Sequence, residues 1–163
     1  MENAQIAAAL ETMGDLLELT EDNPFKVRAY RRASETIEMQ SAPVVDLWRK
    51  GELGKLPGIG ARTVARIGQL IETGTCDELE RLRRAVPPGV REMLALEGVG
   101  LRTVTLIWKE LGITDLDMLE EACRGGDLEE LPGIGPARSK AIAKALARHR
   151  ARSPLQHSEE GHA

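Results

Sequence analysis

The sequence predicts an all-α protein. Apolar residues recur at helical spacing along most of the chain, and no stretch alternates with the period of two that a half-buried strand needs. Aromatic residues are scarce (Phe25, Tyr30, Trp48 and Trp108), so the core must rest on Leu, Ile, Val and Ala. A chain of 163 residues suits one domain or two small ones. It has no apolar run of about 18 residues that could span a membrane. The first residues include an acid and lack a basic stretch, which argues against a signal peptide. Cys76 and Cys123 have no pairing partner by spacing. A reduced, cytoplasmic protein is expected.

Taken in order, "NAQIAAALETMGDLLEL" places Ile6, Leu10, Met13 and Leu17 on one helical face. Asn23 and Pro24 read as a cap and a first-turn proline opening "FKVRAYRRASETIEM". Ala42-Pro43 breaks that helix before "VVDLWRK". "ARTVARIGQLIET" stops at Gly74. Thr75 and Glu78 then form a capping-box pattern for "CDELERLRR". Pro87-Pro88-Gly89 reads as a linker. Beyond it follow "VREMLAL", "LRTVTLIWKEL" ending at Gly112, "DLDMLEEACR" capped by Thr114, and "PARSKAIAKALARHR". The expected organisation is two lobes, 1–86 and 89–150, with a disordered polar tail over 151–163.

One sentence is spelled twice. "GELGKLPGIG" spans 51–60 and "GDLEELPGIG" spans 126–135, with a weaker copy, "LALEGVG", at 94–100. In each copy the glycines (Gly58 and Gly60, Gly98 and Gly100, Gly133 and Gly135) can take positive φ in a tight turn. The apolar residue between them, such as Ile59, should point inward. A helix then begins, and its first N–H groups carry the positive end of the helix dipole. A glycine turn feeding a helix N-terminus is a site for a phosphate. Arg62 and Thr63 follow the first copy, Arg102 and Thr103 the second, and Arg138, Ser139 and Lys140 the third. These side chains position phosphates and read no bases.

This pattern resembles the helix-hairpin-helix motif, which binds DNA backbone without sequence preference. The resemblance implies that hairpin carbonyls, here at 56–60, 96–100 and 131–135, can also hold Na+ or K+. The longer run resembles the N-terminal half of bacterial and archaeal family X DNA polymerases: the eight-kilodalton, polymerase β-like domain and the fingers. It includes "NPFKVRAYRRASETI", both LPGIG segments and "LALEGVGLRTVTLIWKELGITDLDMLEEA". That likeness covers residues 1–148 or so and implies a 5′-phosphate pocket in which Lys26, Tyr30 and Arg62 take part. It also places Arg66 where relatives carry the lysine that forms a Schiff base with deoxyribose phosphate, and Ala65 where they carry an acid. Arginine keeps its proton near neutral pH, so it is no such nucleophile.

The resemblance stops short of the palm that polymerises in that family, so no polymerase chemistry is expected of these residues. Asp115 and Asp117 spell D-x-D but read as first-turn acids of a helix. His149, His157 and His162 lack metal spacing. Trp48 and Trp108 read as core, and Tyr30 fits a core position or a phosphate contact equally well. The expected function is non-catalytic, sequence-independent binding of duplex, gapped or nicked DNA or 5′-phosphate ends in repair. A repair polymerase, nuclease or ligase would be its partner. Single-strand stacking is disfavoured, since four mostly buried aromatics make a poor platform. Two alternatives stay open. One is a weak lyase using Lys26 or Lys55. The other is a protein-interaction module in which the acidic first helix docks a basic partner.

The net charge of −4 hides a split. Residues 1–24 hold six acids and no base, while 25–163 hold 22 bases against the other 20 acids. Arginines gather at 28, 31 and 32, at 81, 83 and 84, and at 148, 150 and 152. Local placement therefore decides whether the surface suits nucleic acid.

Overall fold

The computed structural model describes residues 1–152; the tail from 153 to 163, with His157 and His162, lies outside the described residues. Nine α-helices and two short 3-10 turns make up the described chain, with no strand among these residues. The chain divides into two compact units, Met1–Val86 and a second beginning at Pro87. Each is a helical body with its own core.

The first unit is built on α1 (Asn3–Leu19) and α2 (Pro24–Glu38). The helical spacing of Ile6, Leu10, Met13 and Leu17 becomes a fully buried face. Asn23 caps α2 by accepting from the Phe25 N–H at 2.9 Å. The two helices run antiparallel. Arg31 bonds Glu11, Asp15 and Glu18, while Ser34 farther along α2 donates to the Ala7 carbonyl at 2.8 Å. These ion pairs engage part of the acidic face of α1. One arginine, Arg31, meets three of its carboxylates, so the face keeps a net negative charge. Arg31 therefore contributes little free positive charge to the surface.

Helix α3 (Val44–Arg49) leads through a 3-10 turn, Leu53–Lys55, into the first hairpin and α4 (Ala61–Thr73), and α5 (Asp77–Ala85) completes the unit. The expected capping box at Thr75 is absent. Cys76 occupies the cap position without a side-chain bond, and the Thr75 hydroxyl donates to Glu80 at 2.7 Å. Glu78 is thereby released for another role.

The second unit contains α6 (Pro88–Leu94), α7 (Leu101–Leu111), α8 (Leu116–Gly125), a 3-10 turn Asp127–Glu130, and α9 (Pro136–Arg152). The Pro87-Pro88-Gly89 segment is not slack chain: Pro88 and Gly89 lie in α6. A side chain at Gly89 would meet the Thr114 carbonyl oxygen at 2.1 Å, so only glycine permits this close approach. Asp115, rather than Thr114, caps α8, accepting from the Met118 N–H at 2.8 Å. Asp117 lies in the first turn of α8, where an acid suits the dipole, and pairs with Arg150. Ala151 and Arg152 belong to α9 and not to a tail.

Both tryptophans depart from expectation. Trp48 and Trp108 are only half-buried. Trp48 lies against Gly68, and Lys109 stacks on Trp108 at 4.0 Å. Phe25 departs further: it is 74% exposed, with the Arg28 guanidinium 4.7 Å from its ring centre. Among the described residues no helix is long and apolar enough to cross a membrane.

Candidate nucleic-acid interface

The three hairpins share one backbone. In each, the apolar residue between the glycines turns inward: Ile59, Val99 and Ile134 are all buried. Their N–H groups close the same turn, onto Leu56 O at 3.2 Å, Leu96 O at 3.1 Å and Leu131 O at 3.1 Å. The first glycine of each pair is left-handed, with φ of 79° at Gly58, 78° at Gly98 and 79° at Gly133. A side chain there would be strained. The second glycine is not left-handed, contrary to expectation. Gly60 and Gly100 have φ of −86° and −82°, and each caps the following helix in extended geometry. Its carbonyl accepts the first helical bond, from Val64 at 2.9 Å and Val104 at 3.1 Å, as Gly135 accepts from Ser139 at 3.0 Å. The N–H groups of Ala61, Arg62 and Thr63, and of Leu101, Arg102 and Thr103, have no partner among the described residues. The third hairpin offers one donor fewer, because Pro136 opens its helix.

The side chains are less alike. Arg62, Arg102, Arg138 and Lys140 are exposed. Arg138 stands one residue later in its helix than Arg62 and Arg102 do in theirs. It donates to the Thr103 hydroxyl at 2.8 Å, and Thr103 is buried, so Thr103 braces Arg138 rather than facing a phosphate. Glu97 takes the place that Pro57 and Pro132 hold in the other hairpins. Its carboxylate lies 4.0 Å from Arg148 and 3.9 Å from Arg152. Arg150 is held by Asp117 and Glu120, both at 2.6 Å. The basic run at the end of α9 is therefore largely paired within its own unit.

The first hairpin has richer surroundings. Thr36 donates to the Pro57 carbonyl at 2.9 Å, and a methyl group at Gly58 would come within 3.0 Å of the Arg32 side chain. Beside the hairpin helix, α4, a cleft of about 620 Å³ opens toward α2 and α5. It gathers Lys26, Tyr30, Arg62, Thr63 and Arg66, residues far apart in sequence. Lys55 does not line it, being exposed 3.8 Å from Glu52. The cleft also holds Asp22, Phe25, Glu78 and Arg81, which sequence reasoning passed over. Glu78 and Arg81 carry the three-residue spacing of a helical ion pair, a signal masked by the capping-box reading.

Four cations face two carboxylates in this cleft. Arg81 grips Glu78 through two bonds, Nε at 3.0 Å and Nη2 at 2.9 Å. Those bonds chiefly hold the Glu78 carboxyl below its ordinary range, with the charges of Arg66 and Lys26 adding to the effect against burial. Lys26 lies 3.9 Å from Asp22 and is half-exposed. Arg66 lies 5.8 Å over the Tyr30 ring, and its Nε is buried with no hydrogen-bond partner. Burial pushes the Tyr30 phenol up to about 12, so it stays protonated at neutral pH. Tyr30 is thus both core, at 7% exposure, and part of the cleft wall. Among the described residues no group of three His, Cys, Asp or Glu is placed to hold a metal ion.

Comparison with known proteins agrees with this geometry. The family described as "Helix-hairpin-helix domain" matches residues 1–76, and the "SAM-like Helix-hairpin-helix tandem" matches 90–148. The chain is 34% identical to the DNA polymerase/3'-5' exonuclease PolX of Bacillus subtilis (strain 168) over 146 residues, 90% of this chain and 25% of that protein. It is 28% identical to the human DNA-directed DNA/RNA polymerase mu over 120 residues, 73% of this chain and 23% of that protein. The chain therefore spans about a quarter of the length of these relatives. It carries two matched helix-hairpin-helix regions in succession and is similar to the N-terminal quarter of PolX-type family X polymerases.

Proposed function

We propose that this protein binds the DNA backbone without reading sequence and seats a 5′-phosphorylated end, at a gap or nick, in the cleft of its first unit. The cleft carries the reading. Lys26, Arg62 and Arg66 converge there with Thr63, beside the N–H groups that open α4 without a partner among the described residues. Cations, hydroxyls and free N–H groups together are what a terminal phosphate requires. The hairpins would hold the continuous backbone. Gly60, Gly100 and Gly135 leave open space where a side chain would stand, so a phosphate can approach the main chain. The carbonyls of Ile59, Val99 and Ile134 accept no backbone hydrogen bond among the described residues. They fit the hard-oxygen donor set of Na+ or K+, which would bridge hairpin to phosphate. The exposed Phe25 at the cleft rim offers one apolar face to a terminal nucleotide.

The role is one of binding, in company with a repair polymerase, nuclease or ligase. Arg66 contributes charge and no nucleophile. One observation favours a weak lyase as the second reading: Lys26 is an amine in the same cleft. Borohydride reduction on a cleaved abasic site would trap it, and an adduct lost on Lys26→Ala would replace the binding reading with the lyase.

The binding test is a titration of gapped duplexes ending in 5′-phosphate or 5′-hydroxyl across a salt series. With about four phosphates neutralised, log K should fall against log salt with a slope near −3.6, and the 5′-phosphate should bind more tightly. A flat salt response, or strong preference among duplexes of equal length and different sequence, would overturn the proposal.

A further inference from the structure

The Glu78–Arg81 pair is an ion pair within α5, yet both side chains line the cleft. The grip on Glu78 is bidentate, with each carboxylate oxygen taking one Arg81 donor. The same planar fork fits a phosphate oxyanion. Glu78 is the less exposed of the two, at 15% against 56% for Arg81. The carboxylate therefore stays in the wall while the guanidinium reaches solvent. Arg66 and Lys26 lie near enough to act on the Glu78 charge as well.

We propose that Glu78 is the resident counter-anion of this cleft and Arg81 a masked phosphate ligand, so that an incoming 5′-phosphate competes with Glu78 for Arg81. This rests on the cleft being the seat of a 5′-phosphate. A terminal phosphate brings close to two negative charges, against one for an internal phosphodiester. It draws Arg81 away from Glu78 more strongly than an internal linkage does. Glu78 thereby sharpens the choice of phosphorylated ends over continuous backbone while lowering absolute affinity. No bond is made or broken; Arg81 exchanges one oxyanion for another.

The test is a double-mutant cycle on the full chain, read by titration of gapped DNA with 5′-phosphate and with 5′-hydroxyl. Glu78→Gln removes the charge and keeps the shape. It should tighten binding of the 5′-phosphate about tenfold, with a smaller change for 5′-hydroxyl. Adding Arg81→Ala to Glu78→Gln should reverse most of that gain, because the released guanidinium is what the phosphate uses. If the double variant binds the 5′-phosphate as tightly as Glu78→Gln alone, Arg81 is not a ligand and the proposal is overturned. Equal effects on both DNA ends, accompanied by a lower melting temperature, would show a structural pair and overturn it as well. A parent that does not distinguish the two ends removes the underlying cleft reading, and this inference with it. A parent that does distinguish them, with Glu78→Gln unchanged, sinks this inference alone.

Discussion

The first and second hairpins have the same backbone and opposite surroundings. Their inner turns close at 3.2 and 3.1 Å, and their left-handed glycines differ by one degree. Around the first stand Arg32, Arg62 and a cleft with an excess of positive charge. The second presents Glu97 at its apex, with Arg148 and Arg152 turned toward that carboxylate, and its Thr103 hydroxyl serves Arg138. A repeated motif therefore secures a repeated main chain but not a repeated task. The donors are equal in number, and on the proposed reading it is side-chain charge that would decide which hairpin receives a phosphate with least opposition.

The largest expected effects come from the glycines that make the hairpins alike. Gly58→Val and Gly98→Val each force a β-branched side chain to φ near +79°, which costs about 1–3 kcal/mol. Each should lower the melting temperature of its unit by several degrees, roughly 4–8 °C per kcal/mol for a body of this size. Gly58→Val should be the worse of the two, because Arg32 must also move. Gly60→Ala separates folding from binding: its backbone is ordinary and the space beside it is open, so stability should hold while DNA affinity drops. Calorimetry and a DNA titration on the three variants check this. Full DNA affinity in a well-folded Gly60→Ala would make the first hairpin a structural turn only.

A middle-sized effect should follow from giving the second hairpin the character of the first. Glu97→Gln removes the apex charge and frees Arg148 and Arg152; Glu97→Pro also restores the residue found at Pro57 and Pro132. Either change should tighten DNA binding severalfold at low salt and steepen the salt slope by about 0.9, one added phosphate contact. An unchanged slope would mean that the second hairpin is already engaged or never can be, and the contrast between the hairpins would lose its functional meaning.

How far the sequence could be read follows the same division. Local chemistry was legible. The all-α class followed from apolar spacing, the hairpins from their glycines, and the helix stops at Gly74 and Gly112 from their positions. What escaped was pairing across elements. The arginine run at 28–32 looked like one basic patch, but Arg31 faces the acids of α1, Arg28 covers Phe25 and Arg32 lies on the hairpin. The aromatics as a group were expected to be mostly buried, yet Phe25 falls on the open side of α2. Lys26, Tyr30, Arg62 and Arg66 reached the site through a family likeness. Glu78 and Arg81 had no such guide, and only the packing of α5 beside α4 brings them in. Helical periodicity states which face is buried and says nothing of which helix it meets.

The smallest effect concerns Arg66, the residue that most separates the two hairpin helices. Six positions after the second glycine, α4 carries Arg66 in the cleft, whereas α7 carries Leu106 and α9 carries Ala141. At that position only the first hairpin's helix carries a nitrogen side chain. Arg66 stays charged and forms no imine, so borohydride should trap nothing through it. Arg66→Lys supplies an amine that can lose its proton when burial and the neighbouring Arg62 disfavour its charge. It also gives up the fork whose Nη1 bonds the Arg62 carbonyl at 3.3 Å, so phosphate binding should weaken slightly. A trace of trapped adduct with a cleaved abasic site is the expected outcome. It should stay small, because Ala65 leaves no carboxylate next to the amine. Trapping should rise when Glu78→Gln is added only if phosphate occupancy limits the reaction. An efficient adduct in the parent, abolished by Lys26→Ala, would show instead that the cleft already does chemistry and that charge at Arg66 serves to hold its substrate.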